Sequence, residues 1–230
     1  MKANTETAVE APPNLASRER TEPPDSARAG TAALAMPGAG LATTPLEVED
    51  TLAAKAAAQM FAALGVDLDR EHRLATPQRF IRALREMLTP PRFDPTSFEN
   101  ADGYDEFVVV EAVPFFSLCE HHVLPFVGTA TIAYLPDARI VGLSKMAWVV
   151  QLFARQLQVQ ERMTGQIADW IGEHLQPRGV GVQLRAEHLC MSLRGARATG
   201  AVTTTTARRG ALLDDPERRD EWLRFLAATR

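Results

Sequence analysis

The chain has 230 residues, 46% of them apolar and 23% charged, a composition with room for one substantial core. Its formal net charge of −4 argues against a nucleic-acid binder that works by bulk electrostatics. No stretch approaches the roughly 18 uninterrupted apolar residues of a membrane-spanning helix, so neither nucleic acid nor membrane is expected as a partner.

Residues 1–47 contain Pro12, Pro13, Pro23, Pro24, Pro37 and Pro45 and lack apolar periodicity, which predicts a disordered tail. Glu6, Glu10, Glu19, Glu22 and Asp25 do not suit a signal or transit peptide, and a cytoplasmic location is expected. Residues 48–95 read as an N-terminal helical region. Leu52, Ala56, Met60 and Phe61 form one apolar stripe, and Thr76-Pro77 supplies an N-cap and a first-turn proline for a second helix. The apolar face of that helix is Phe80, Ile81, Leu84, Met87 and Leu88. Arg79 and Arg82 lie on one side of it, where a solvated face is the default reading.

Residues 96–230 carry the strand signals. Phe107–Phe116 is rich in valine, and Phe126–Leu135 alternates until Pro136 stops it. A helix opening at Ser144 presents Met146, Val149, Val150, Phe153 and Leu157, and a second from Gln160 to Leu175 presents Ile167, Trp170, Ile171 and Leu175. Gly179–Met191 alternates as a strand, residues 196–208 read as its hairpin partner, and a final helix spans Pro216 to Ala228. This order predicts an α+β domain with an antiparallel sheet and helices packed on one face. Such a sheet has open edges for oligomerisation to cover.

Both cysteines of the chain sit beside histidines, in Cys119-Glu-His-His122 and His188-Leu-Cys190. Thiolate and imidazole together select zinc over magnesium or calcium. Residues 119 and 122 converge across a tight turn, whereas the adjacent side chains of His121 and His122 diverge. If the second stretch is a strand, His188 and Cys190 share a face about 6.5–7 Å apart. The spacing therefore favours Cys119, His122 and Cys190 as three ligands, leaving a coordination place for water and leaving His121 and His188 for proton transfer. A closed structural Cys2His2 site, or two buried cysteines that never meet, are the plainer readings. Ser144 and Lys145 open a helix, whose unpaired amides favour anions. Gln160 and Glu161 open the next, as an ordinary first-turn pair or as a carboxylate and amide that read a guanine edge. Arg194, four residues past Cys190, places a cation near the cysteine; with Arg79 and Arg82 it suggests an anionic, polyphosphate-sized ligand.

Five stretches carry a family resemblance: Thr76–Arg79 (TPQR), Phe116–Gly128 (FSLCEHHVLPFVG), Val141–Lys145 (VGLSK), Gln158–Arg162 (QVQER) and His188–Gly195 (HLCMSLRG). In order and spacing, from about residue 50 onward, the chain resembles GTP cyclohydrolase I. The resemblance implies the tunnelling fold, a homodecamer with sites at subunit interfaces, and conversion of GTP and water to 7,8-dihydroneopterin triphosphate and formate in pterin and tetrahydrofolate biosynthesis. It implies Zn2+ on Cys119, His122 and Cys190, with His121 and His188 as acid–base groups. Gln160 and Glu161 fall on the guanine, and Ser144, Lys145, Arg194, Arg79 and Arg82 on the triphosphate, some of them from a neighbouring subunit.

The chain departs from the family pattern at three places. Trp148 stands where an arginine is usual three residues after the Ser-Lys lysine, Gln156 replaces a commonly basic residue, and Thr129 replaces a lysine after the glycine. One turn from Lys145, Trp148 is expected to face the site. A charged hydrogen bond contributes about 1.5–3 kcal/mol, so the departures leave two further readings open. One is a paralogue with altered phosphate recognition in a specialised pathway such as 7-deazapurine synthesis. The other is a non-catalytic, zinc-stabilised nucleotide-binding scaffold.

Overall fold

A computed structural model describes residues 46–228. The tail expected over 1–47 lies outside the described residues except for its last two positions, which already belong to a helix. Helix α1 (Leu46–Ala63) packs on α2 (Thr76–Leu88), with the Phe61 ring edge-on to Phe80 at 5.4 Å. The stripe expected on α1 is displaced. Ala54 and Ala57 are buried and Ala58 and Phe61 half-buried, while Leu52 and Met60 face outward. Small alanines let the two helices approach, and the larger side chains fall on the other side of the 3.6-residue turn. Thr76 is the first helical residue and Ala75 occupies the cap, without a side-chain cap bond.

A small sheet pairs β1 (Ser97–Glu99) with β4 (Arg139–Val141). The main sheet has the order β5-β2-β3-β6-β7, formed by β5 (Leu157–Gln158), β2 (Val108–Cys119), β3 (Pro125–Leu135), β6 (Gly179–His188) and β7 (Val202–Gly210). Its pairings are antiparallel except for the two-residue β5, which runs parallel to β2. A bulge between Val110 and Val113, with Ala112 at φ 53°, lets β2 keep its apolar side chains on one face beyond the kink.

Helices α3 (Leu143–Ala154) and α4 (Gln160–Leu175) cover one face of the sheet. There Val180, Val182, Leu184 and Ala186 of β6, with Phe126, Ala130 and Ile132 of β3, meet Met146, Val149, Val150, Met163, Ile167 and Ile171. Each larger aliphatic side chain so buried contributes about 1.5–3 kcal/mol. The expected α+β architecture, helices on one face of an antiparallel sheet after an N-terminal helical pair, is the one observed. One addition is that α6 (Ala211–Asp214) and α7 (Pro216–Ala228) join a second cluster, in which Leu212, Trp222 and Leu226 pack on Phe107, Ala133 and Leu135. Alternation places Ala133 and Leu135 on the opposite face of β3 from Ile132. Gly181 of β6 admits this packing, since a Cβ there would lie 2.7 Å from Leu212 and 2.8 Å from Trp222.

A candidate metal and nucleotide site

Strands β2 and β6 both run antiparallel to β3 and both end where it begins, with Leu118 opposite Pro125 and His188 opposite Phe126. Cys119 is the last residue of β2. The chain then turns tightly, with the amides of His122 and Val123 donating to the Cys119 carbonyl at 3.3 and 2.8 Å and the Cys119 amide donating to Leu124 O at 2.9 Å. The turn places Val123 at φ 54°, a conformation that a β-branched residue rarely adopts. The strand expected to continue to Met191 stops at His188, and Cys190 lies on a single helical turn, α5 (Leu189–Ser192). That turn swings the thiol across the end of β3 toward Cys119. The ligand atoms of Cys119, His122 and Cys190 all lie within 4.8 Å of one another, a possible metal site.

The geometry suits a tetrahedral ion. Zinc bonds of about 2.3 Å to sulfur and 2.0–2.1 Å to nitrogen imply ligand atoms about 3.4–3.8 Å apart. The Cys119 Sγ to His122 Nδ1 separation is 3.8 Å. Both cysteines are free thiols. Burial pushes the Cys190 thiol up, and the neighbouring Cys119 adds to the rise; a bound cation reverses that preference by stabilising thiolate.

The two remaining histidines differ in setting. His121 is exposed, with Nδ1 3.9 Å from Cys119 Sγ, and its ring centroid is 6.2 Å from that of His122 at an interplanar angle of 80°, the divergence expected of neighbours. Glu120 beside it pairs with Arg162 of α4 at 2.5 Å, and this hydrogen bond holds the carboxyl below its usual range. His188 stacks on Phe126, centroids 4.6 Å apart and 3° from parallel, and its Nε2 lies 2.8 Å from Gln160 Oε1. Burial lowers the His188 imidazole below its ordinary value, and the Glu161 carboxylate opposes that shift.

The Gln160 side chain, one of the two placed on guanine by the resemblance, is buried within the chain, its amide nitrogen within reach of Leu184 O, Thr203 O and Thr205 Oγ1. The β6–β7 register sets Leu184 opposite Thr205, which brings both within reach of one side chain from α4.

Ser144 and Lys145 lie on the first turn of α3, away from the cysteines of the same chain. The other end of that segment is at the site, where Ser117 Oγ donates to Gln156 O at 3.3 Å. Twelve helical residues separate the two ends by about 18 Å at 1.5 Å per residue. The segment leading into α3 is tied to the far end of β3 by the Val141 amide, which donates to the Tyr134 hydroxyl at 3.1 Å. Trp148, expected to face the site, stacks on Phe93 with centroids 6.4 Å apart, and Phe93 in turn packs on Trp170 at 5.8 Å. Arg194, Arg79 and Arg82 are exposed, and Arg82 lines a cleft of about 1010 Å³ with residues of α1 and α2. One chain therefore brings together Cys119, His122, Cys190 and their histidine neighbours, but not the candidate phosphate ligands Ser144 and Lys145 of α3.

The family model described as GTP cyclohydrolase I matches residues 53–227. The chain belongs to the GTP cyclohydrolase I family. It is 48% identical over 163 residues to GTP cyclohydrolase 1 of Aquifex aeolicus, covering 71% of this chain and 89% of that protein. With GTP cyclohydrolase 1 of Chlorobium phaeovibrioides it shares 43% identity over 189 residues, 80% of this chain and 84% of the relative. Among solved structures, the archaeosine synthase QueF-Like in the apo form is similar over 45% of this chain and 93% of that chain, at 12% identity and a TM-score of 0.38, too slight a likeness to bear on function. The GTP cyclohydrolase I match spans the elements that carry the cysteines and their histidine neighbours, from β2 through α5. Among the described residues, no helix is long and apolar enough to cross a membrane.

Proposed function

We propose that this chain converts GTP and water to 7,8-dihydroneopterin triphosphate and formate in the cytoplasm, with zinc held by Cys119, His122 and Cys190. The observation that carries the reading is the grouping of two thiols and one imidazole within 4.8 Å, in a member of this family. Zinc in such a site acts as a Lewis acid and brings the pKa of a bound water to about 7. His121, exposed beside the cluster, delivers a proton to N7 of the purine as the imidazole ring of the substrate opens at C8. His188, held between Phe126 and Gln160, moves protons during the later opening and rearrangement of the ribose. Glu161, on the first turn of α4, accepts from the ring N–H and exocyclic amine of guanine.

Ser144, Lys145, Arg194, Arg79 and Arg82 bind the triphosphate, with Ser144, Lys145, Arg79 and Arg82 supplied by a neighbouring copy of the chain in a homodecamer. The separation of α3's first turn from the cysteines within one chain supports this shared site. The test is formate release and pterin fluorescence from zinc-loaded full chain given GTP, with GDP and guanosine in parallel. Turnover of GTP well above the other two is expected. Absence of formate from protein carrying one zinc per chain removes the proposal. Equal use of all three substrates removes the triphosphate assignments alone.

A further inference from the structure

We infer that Gln160 is a positioning residue that holds His188 with its proton on Nε2, leaving Nδ1 as the ring nitrogen that accepts a proton from bound nucleotide. The inference rests on the reading of His188 as a proton-transfer group and adds which atom does the work.

The orientation of the Gln160 amide follows from its partners. One end of the amide lies 3.2 Å from Leu184 O and 3.1 Å from Thr203 O. Backbone carbonyls only accept, so the NH2 group must occupy that end; a flipped amide would set oxygen against two oxygens. The same nitrogen is 3.1 Å from Thr205 Oγ1, which lies 2.6 Å from Thr164 Oγ1, and Thr164 donates to the Gln160 carbonyl at 2.6 Å. The network ties the first turn of α4 to β6 and β7 and leaves Oε1 facing His188.

That oxygen has no proton to give. At 2.8 Å from His188 Nε2, it requires the ring nitrogen to be the donor. A neutral imidazole carries one N–H, so a proton on Nε2 leaves the lone pair on Nδ1. The stack on fully buried Phe126 sets the plane of the ring, and the hydrogen bond sets its rotation within that plane. A proton taken up at Nδ1 gives a cation with both nitrogens protonated, still donating to Gln160, and loss of the same proton restores the starting tautomer.

The two tasks considered for Gln160 separate in kinetics. A residue that touches guanine raises KM when removed, whereas one that orients the proton-transfer group lowers kcat. The experiment is solid-state NMR of zinc-loaded full chain labelled with 15N-histidine at pH 8, with the His188 resonances assigned by difference from His188→Asn. Nε2-protonated neutral imidazole is expected. Gln160→Met should give a mixture of tautomers and lower kcat about tenfold or more, the size seen when partners that orient a functional histidine are removed. KM for GTP should stay within about threefold.

An Nδ1-protonated ring in the unmodified chain overturns the inference, and that spectrum decides even where Gln160→Met does not fold. A Gln160→Met variant with unchanged kcat and raised KM also overturns it, returning Gln160 to the nucleotide. Full turnover by His188→Asn removes the proton-accepting role of Nδ1 and the assignment of His188 under the proposed function, while leaving the measured tautomer in place.

Discussion

Gly128 of β3 lies directly against the backbone of β6. A Cβ at this position would sit 1.9 Å from Arg185 O and 2.7 and 2.8 Å from Cα and Cβ of Ala186. Those atoms belong to the strand paired with it, Gly128 opposite Ala186, and no side-chain rotation relieves the clash with the carbonyl. Restoring an ordinary contact moves the strands apart by roughly 1.5 Å. Overpacking of this kind costs about 1–3 kcal/mol, and two flanking ladder hydrogen bonds add about 0.5–1.5 kcal/mol each. Gly128→Ala should therefore lose about 2–6 kcal/mol, and the damage should reach the metal site, because Ala186 precedes His188 and Cys190 on the same strand end. Urea denaturation followed by circular dichroism at fixed chain concentration measures the first effect, and zinc per chain after gel filtration the second. Gly172→Ala is the control: it lies in α4 with no heavy atom within 4 Å of the added Cβ outside the helix's own backbone, and should stabilise by about 0.5–1 kcal/mol. A Gly128→Ala chain with an unchanged urea midpoint and one zinc would show that the β3–β6 register is wrong.

Tyr134 is buried, and burial raises its phenol above the ordinary value of about 10. The neutral phenol is thus favoured by folding. Its contribution is fully present below about pH 10 and is lost as pH rises through the raised folded-state value. Tyr134→Phe orphans the Val141 amide and should cost about 1–3 kcal/mol at pH 8. The gap from the unmodified chain should narrow above pH 10, and a gap independent of pH counts against the assignment. Val123→Gly relieves a left-handed β-branched residue, a strain of about 1–3 kcal/mol, offset by about 0.5–1 kcal/mol of glycine flexibility. A net gain near 1 kcal/mol is expected in thermal unfolding, and a loss would place the strain elsewhere. Trp148→Arg should lower KM for GTP by restoring a donor fork near Lys145, while removal of its stack on Phe93 costs about 0.5–1.5 kcal/mol. An unchanged KM separates Trp148 from phosphate binding.

Period and punctuation made most elements legible from the chain alone. The boundaries Gln160–Leu175 and Pro216–Ala228 were readable because amphipathic runs of 16 and 13 residues repeat their signal several times. The α1 stripe misled because alanine carries almost no signal, so the larger Leu52 and Met60 dominated the pattern although alanines make the contact. The short β1, β4 and β5 were missed, since two or three residues hold too few repeats to show a period.

At the site, residue type and spacing together marked Cys119, His122 and Cys190, because thiol and imidazole are rare and their chemistry is specific. Their meeting depends on the β2–β3–β6 register and on α5 replacing the end of the alternating run, where hydrophobic periodicity continues unbroken through a change of backbone conformation. Gln160 shows the same limit. Its polarity beside a glutamate suits a ligand as well as it suits an internal hydrogen bond, and the choice is made by carbonyls of β6 and β7 that lie far away along the chain. Composition and spacing select which atoms are chemically capable; long-range strand pairing selects which of them come within bonding distance.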